Sequence, residues 1–259
     1  MNKHFFTVFI LVVLTANHVH AQFTFGVRTG LNYTSIWGGV GEPTGSTAVP
    51  PGYQIGEPPD YPANPANNKL LIESGILGYQ IGAVADYSIN DKFSIESGLL
   101  LSKKGFKNQT FGMGQNGKEL TFNVSEKTNY IQIPVHVCYK LGNRFLVHAG
   151  PYFGFAISGK RTSDISLDGE KMYERNLMIN FGRDKFSYGA RYCRIFDWGL
   201  GTGLAVRLGN IQVGLEGNTG LISINRDEIV SFDDMSEHKA NTHNKNGCLS
   251  LTATYMFGK

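Results

Sequence analysis

The chain has few cysteines, few charges and no long apolar run outside its N-terminus. Its 259 residues include three cysteines, and charged residues make up 17% of the total. No CxxC motif or Cys/His spacing typical of a zinc site is present. The formal charge of +3 comes from scattered basic residues, which does not favour a nucleic-acid partner. Beyond residue 22 no apolar run reaches the ~20 residues that a transmembrane helix requires.

The first 21 residues have the pattern of a secretory signal peptide. Lys3 precedes an apolar stretch at residues 5–14, and Val19-His20-Ala21 is a small-x-small site for signal peptidase. Cleavage after Ala21 is predicted to leave a mature domain of residues 22–259. No cysteine follows this site to accept a lipid anchor. The sequence therefore predicts an exported chain without an N-terminal anchor.

The mature sequence is rich in glycine, and apolar residues alternate in it with small or polar ones. A strand with two different faces alternates at every residue. In the first segment the apolar residues Phe23, Phe25 and Val27 would lie on one face of a strand, while Gly26 and Arg28 would lie on the other. The same pattern predicts eight strands, at about residues 23–34, 79–89, 93–102, 129–140, 145–157, 196–208, 211–221 and 249–257.

Short and long connections alternate between these predicted strands. Three connections are tight turns, at Asn90-Asp91-Lys92, Gly142-Asn143 and Gly209-Asn210. Four are long polar loops, at about 35–78, 103–128, 160–192 and 222–246. Outer-membrane barrels have tight periplasmic turns and long extracellular loops, and only helices or closed barrels satisfy the backbone inside lipid. The length of the chain also allows a secreted β-sandwich.

Aromatic residues distinguish these two alternatives. They fall near both ends of the predicted strands, as in the interfacial belts of a membrane barrel, whereas a water-soluble barrel would place them inside. The sequence therefore predicts an all-β, eight-stranded antiparallel transmembrane β-barrel with both termini in the periplasm. The predicted belts consist of Phe23, Tyr87, Phe93, Tyr139, Phe145 and Phe257 at the short-turn end, and Tyr33, Tyr79, Phe155, Phe196 and Trp198 at the long-loop end.

Several short motifs resemble the PorT-like group of the outer-membrane protein β-barrel domain. The resemblance covers the strands from Phe23 to Phe257 and leaves out the loops. It implies a barrel in the outer membrane of a Gram-negative cell, often of unknown role, with one branch that serves type IX protein secretion and gliding-related export. The motifs are Tyr130-Ile131-Gln132-Ile133-Pro134, Tyr139-Lys140-Leu141-Gly142, Gly150-Pro151-Tyr152-Phe153-Gly154, Ser158-Gly159-Lys160, Asp197-Trp198-Gly199 with Gly203, and Thr219-Gly220-Leu221 before Ile224-Asn225.

Inward parity places several ionisable side chains in the lumen of the predicted barrel. Eight strands enclose a space that side chains can fill, so an open pore is not expected. Asp86 and Glu96 should meet across their hairpin and share a cation or a proton, with Arg28 on the neighbouring strand as the expected cation. The hypothesis is a buried ion network that fixes strand register, and the alternative is a proton or ion path or an acid/base pair. Its predicted members are Arg28, Asp86, Glu96, His136, His148, Arg207 and Glu216.

The cysteines allow at most one intramolecular disulfide. In the predicted topology Cys138 lies near the periplasmic end, while Cys193 and Cys248 lie towards the extracellular end. Either Cys193 pairs with Cys248, or all three residues remain free thiols.

The last loop contains the residue types of a Ser/His/acid hydrolase, without a spacing that restricts them. Such mixtures are common in solvated loops, so no catalytic residue, metal or cofactor is assigned, although a rim hydrolase or a surface metal site stays open. The residues concerned are Asp233, Asp234, Ser236, Glu237, His238 and His243.

Two other loops have patterns of their own. The first holds seven of the nine prolines, with Tyr53 and Tyr61 among them, and is either a contact surface or an irregular surface loop. In the third, the alternation of Leu177, Ile179 and Phe181 predicts a hairpin beyond the membrane, with Gly182-Arg183-Asp184 near its tip.

The sequence thus favours a non-enzymatic outer-membrane barrel with a structural or loop-mediated interaction role in the cell envelope. The first alternative is an accessory component of protein secretion of the type IX kind, followed by a small-solute channel and a hydrolase. The expected partners are outer-membrane lipid and proteins that contact the loops or the periplasmic face, with no nucleic acid. We expect a monomer.

Overall fold

The computed structural model describes residues 23–37, 70–113, 119–181, 191–224, 228–231, 237–240 and 244–257. Within these residues no helix has the length and apolar character needed to cross a membrane. Several predictions lie outside them: the signal peptide and its cleavage site, the prolines with Tyr53 and Tyr61, the segment Gly182-Arg183-Asp184, and the loop residues Asp233, Asp234, Ser236 and His243.

The described residues form twelve strands. The bounds are β1 Phe23–Trp37, β2 Leu70–Ser88, β3 Phe93–Met113, β4 Glu119–Leu141, β5 Phe145–Leu167, β6 Glu170–Asn180, β7 Arg191–Tyr192, β8 Phe196–Leu208, β9 Ile211–Gly220, β10 Glu228–Ser231, β11 Glu237–Ala240 and β12 Lys245–Met256.

Eight of these strands close into a ring in which every pairing is antiparallel. The order around the ring is β1, β2, β3, β4, β5, β8, β9 and β12, and β12 pairs with β1 to close it. Strand β6 continues the sheet from the outer part of β5, while β10 and β11 form a separate hairpin. The predicted eight-stranded antiparallel barrel is confirmed.

The three predicted short turns connect β2 to β3, β4 to β5, and β8 to β9. In the first, the side-chain oxygen of Asn90 accepts hydrogen bonds from the backbone N–H groups of Lys92 at 2.9 Å and Phe93 at 2.8 Å. Gly142 and Gly209 have φ values of +64° and +61° in the other two. Only glycine adopts this conformation readily, which explains its position at both turns.

The long-loop end contains more strand than the sequence predicted. Strands β3 and β4 pair as far as Met113 and Glu119, so most of the segment 103–128, predicted as a loop, is a regular hairpin. The third predicted loop also begins with a hairpin, whose turn lies at Asp168-Gly169. Both turn residues have positive φ, +49° and +82°, which is the conformation that a tight Asp-Gly hairpin turn requires.

The two faces of strand β4 exchange polarity towards its outer end. Even-numbered residues of β4 face the lumen, as the burial of Tyr130 shows, and this parity continues to Phe122 at the outer end. Phe122 pairs with Ile165, which pairs with Tyr173, so the inner face there is apolar. The outer face carries a polar ladder, with Gln109 to Asn123 at 2.7 Å and Asn123 to Asp164 at 2.8 Å.

Closer to the turns the faces have the opposite character. Leu31 and Leu204 project outward with 64% and 63% of their surface exposed, although both are apolar. Polar side chains fill the inside, where His136 and Ser250 are fully buried. An apolar exterior around a polar interior is the arrangement that lipid requires. The reversal therefore marks where the barrel leaves the membrane.

The predicted belt aromatics lie at the two ends of this apolar zone. Near the short turns, the ring centroids of Phe23 and Tyr87 are 4.8 Å apart and those of Phe93 and Tyr139 are 4.9 Å apart. At the other end, Phe155 lies 5.3 Å from Phe196. Their role as interface anchors stays a prediction. The other predicted members at these ends are Phe145, Phe257, Tyr33, Tyr79 and Trp198.

Candidate functional site

The lumen near the short turns contains a buried charge cluster centred on Arg28 of β1. Its guanidinium donates to both carboxylate oxygens of Glu96 at 2.8 Å, and its Nε donates to Thr254 at 2.9 Å. Glu216 lies 3.9 Å from the same guanidinium. Asp86 pairs directly with Glu96 across the β2–β3 hairpin, as predicted. The described ion pairs of Arg28 are thus with Glu96, as predicted, and with Glu216.

Two histidines lie beside this cluster. The rings of His136 on β4 and His148 on β5 are nearly parallel, with centroids 4.9 Å apart. His148 Nε2 is 3.7 Å from Glu216 Oε2, and Asn218 donates to the other carboxylate oxygen of Glu216 at 2.9 Å. All four residues are buried.

A second cluster, which sequence reasoning missed, fills the lumen towards the extracellular end. Lys104 Nζ is 3.5 Å from Asp197 Oδ2 and 4.2 Å from the ring centroid of Tyr152. Asp197 also accepts hydrogen bonds from the Tyr152 hydroxyl at 3.3 Å and from Asn246 at 2.9 Å, while Tyr130 lies 5.4 Å from Lys104. The two buried charges compensate each other, although Lys104 Nζ and Asp197 Oδ1 make no hydrogen bond within the described residues.

Between the two clusters a layer of small polar side chains crosses the lumen. Ser250 donates to Asn32 at 2.9 Å, and Asn32 donates to Ser102 at 3.2 Å. The inside of the barrel is thus a packed stack of polar side chains, which is the expected filling for eight strands.

Glycines on β8 make room for the large lumenal side chains. A Cβ atom at Gly203 would lie 2.5 Å from His148 Nε2, and one at Gly201 would lie 2.9 Å from His136 Nε2. At Gly199 it would collide with the backbone oxygen of Thr219. These positions therefore admit only glycine while the present packing is kept.

Five of the seven predicted lumenal residues come together, namely Arg28, Glu96, His136, His148 and Glu216, and Asp86 faces Glu96 in register. Arg207 lies apart from them at the turn end, half-buried, where its backbone N–H donates to Arg144. Its place at the end of β8 explains the difference, because inward parity alone does not give depth along the barrel. The role of the cluster in fixing strand register stays a prediction.

All three cysteines are buried, and none of them forms a disulfide. Cys248 Sγ lies 3.3 Å from the Ser250 hydroxyl, and the backbone N–H of Cys193 donates to Asn180. The disulfide considered between Cys193 and Cys248 is therefore not formed. Glu237 and His238, considered for a hydrolase, lie in the short strand β11, of which only the backbone is described.

A closed ring of eight antiparallel strands, apolar outside and polar inside, defines a transmembrane β-barrel protein. Residues 20–226 match the family described as outer membrane protein beta-barrel domain, and the chain belongs to this family. It is thus an outer-membrane barrel of the Gram-negative type. The matching family is described only as this barrel domain, so membership of the PorT-like group stays a prediction.

Solved structures of similar shape include two bacterial surface proteins. Ail, the attachment invasion locus protein of Yersinia pestis, solved in complex with the heparin analogue sucrose octasulfate, gives a TM-score of 0.35 at 10% identity, over 91% of this chain and 99% of Ail. Neisserial surface protein A gives 0.32 at 9% identity, over 92% and 99%. Similarity this low does not support a functional conclusion. No curated protein sequence matches the chain.

Proposed function

We propose that this chain is a non-enzymatic outer-membrane barrel that binds a protein partner through the sheet projecting from its extracellular end. The observation that carries the proposal is the polar outer face of β3, β4 and β5 beyond the membrane zone. Residues 103–113 of β3 extend roughly 35 Å along the strand at the usual rise per residue. A structure of this size is more than is needed to connect two barrel strands.

The projecting sheet has an open edge at β6. Residues 170–178 pair with β5 on one side, and no strand pairs with their other side in the part of the chain that the structure describes. An unpaired edge can accept an extended segment of another protein through main-chain hydrogen bonds. Met172 and Met178 on this strand are 57% and 68% exposed, and flexible thioether side chains adapt well to a partner surface.

The filled lumen argues against transport as the main activity. Tyr152 and Lys104 are almost fully buried inside the ring, as are His136 and Gln132 nearer the turns. A solute would have to displace these closely packed side chains to pass through the ring. We expect the purified barrel to show no conductance steps in planar bilayers, and regular single-channel steps would favour the channel alternative.

The interaction can be tested by photo-crosslinking in intact cells of the native host. A photoreactive amino acid replaces Met172 or Met178 on β6, and a matched control replaces Leu251, which faces lipid on β12. We expect protein crosslinks from the two β6 positions and none from Leu251. Equal crosslinking from all three positions, or none from β6, would contradict the proposal.

A trimmed barrel provides a second test. Replacing residues 107–125 by Asn-Gly keeps the pair Phe106 and Glu126 and removes the outer part of the β3–β4 hairpin. We expect this variant to fold, as judged by different gel mobility before and after boiling, and to lose the β6 crosslinks. The secretion alternative predicts instead that deleting the gene removes a defined set of exported proteins, whereas our proposal predicts an unchanged exported set.

A further inference from the structure

The lumen holds a group of potential metal ligands that the interaction role does not use. His136 on β4, His148 on β5 and Glu216 on β9 come from three different strands, and their ligand atoms all lie within 4.8 Å of one another. We propose that these three side chains bind one divalent transition-metal ion, such as Zn²⁺, inside the barrel. Two imidazoles and a carboxylate form a donor set typical of zinc.

The hydrogen bonding of the two histidines supports this assignment. Neither ring nitrogen of His136 has a hydrogen-bond partner among the described residues, and the same holds for Nε2 of His148. Both side chains are buried, with 0% and 5% of their surfaces exposed. Buried polar atoms normally have a partner, and a metal ion satisfies an imidazole nitrogen as a hydrogen bond would.

The space between the ligands is kept open by glycine. Strand β8 lies between β5 and β9, and its Gly201 and Gly203 face His136 and His148. A side chain at either position would occupy the space next to the imidazole nitrogens. The side-chain oxygen of Asn218 points into the space beside Gly201 and has no hydrogen-bond partner among the described residues, so it is available as a fourth ligand.

The surrounding charges favour a cation. Arg28 forms ion pairs with two carboxylates of this cluster, those of Glu96 and Glu216. The two carboxylates exceed this guanidinium by one formal negative charge, which a cation at Glu216 would offset. Arg28 itself opposes the ion, but its closest contacts are with Glu96 at 2.8 Å.

Metal binding would require the ligand atoms, which now lie within 4.8 Å of one another, to move closer together. Tetrahedral zinc places neighbouring donor atoms about 3.4 Å apart, given metal–ligand distances near 2.1 Å. His148 Nε2 and Glu216 Oε2 are already 3.7 Å apart. Asn218 holds the second oxygen of Glu216 at 2.9 Å, which orients the carboxylate as outer hydrogen bonds do in metal sites.

Zinc titration of the purified barrel tests the site. The mature chain has two other histidines, His238 and His243, so the parent for the test carries His238→Gln and His243→Gln, has no histidine tag, and is treated with chelator. Calorimetry with ZnCl₂ should show one ion per barrel, and CoCl₂ should give the visible absorption of a nitrogen-coordinated ion. Zinc should also raise the unfolding temperature of the parent barrel.

Variants of the ligand residues show whether zinc binds at this site. His148→Asn should weaken zinc binding at least 100-fold, and Glu216→Gln, which keeps the size of the side chain, should weaken it at least 10-fold. Glu174→Gln, an exposed carboxylate on β6, is the control and should change nothing. Glu216→Gln decides the test if His148→Asn does not fold. Absence of saturable binding, or equal binding by the parent and the ligand variants, would overturn the proposal.

Discussion

Among single residues, Arg28 allows the strongest prediction about the stability of the barrel. Its guanidinium is buried and holds Glu96 through two 2.8 Å contacts. Arg28→Ala would leave buried carboxylates without their cation and should lower the free energy of unfolding by about 3–5 kcal/mol. Urea unfolding of the refolded barrel in detergent measures this change. Arg144→Ala, at an exposed arginine in the β4–β5 turn, is the matched control and should have little effect.

Lys104 gives a second prediction at this scale. Lys104→Met removes the cation 3.5 Å from Asp197 while keeping most of the side-chain volume, and should destabilise the barrel by about 3–5 kcal/mol. Asp197→Asn in the same chain removes the uncompensated charge. The double variant should therefore lose less stability than the sum of the two single variants, and strict additivity would show that the two side chains do not interact.

The two clusters also show which side-chain contacts can be predicted from the alternation of inward and outward residues along a strand. The pairing of Asp86 with Glu96, and the approach of Arg28 to Glu96, follow from alternation and one tight turn. The contact of Glu216 with His148 depends on ring closure and on the depth of each residue, which one sequence does not give. Lys104 continues the inward parity of Ser102, but it lies in a segment predicted as a loop, and so the second cluster was missed.

At the scale of the strand, the glycines of β8 are tested by two matched substitutions. Gly199→Ala should lower stability by about 1–3 kcal/mol, because the added Cβ would collide with the backbone oxygen of Thr219 on β9. Gly217→Ala on β9 adds the same methyl group where no atom lies within 4 Å. Its stability should be unchanged or slightly higher, since alanine restricts the unfolded chain. Equal losses would show that close packing of β8 is not the cause.

The barrel strands predicted from the sequence were correct in number, but several of them were too short at the extracellular end. Alternation located all eight barrel strands because lipid demands an apolar outer face. Beyond Leu101 on β3 and Ile131 on β4 the outer face becomes polar, so a search for outward apolar residues stops while the strand continues. The Asp168-Gly169 turn has a recognisable local signal, but it lies within a segment that was interpreted only by its apolar alternation.

For the molecule as a whole, the apolar zone predicts how stability depends on depth in the membrane. Leu204 lies in the middle of β8 and is 63% exposed, while Leu141 lies at the turn end of β4 and is 47% exposed. Leu204→Arg should destabilise the barrel in lipid vesicles by about 2–4 kcal/mol, and Leu141→Arg by about 0–1 kcal/mol. The two variants are controls for each other. Similar losses in both would mean that the membrane zone is placed wrongly.

The closed ring also determines how the projecting sheet responds to a pulling force. Strands β4 and β5 run without interruption from the short turns to the outer tip, and each is hydrogen-bonded to both neighbours in the membrane zone. A pull on the tip away from the cell therefore acts along the strands and strains many ladder hydrogen bonds at once, in shear, rather than opening them one after another. A partner held at β6 would be tethered to the bilayer by the barrel wall itself, and the tether should resist tension as one unit.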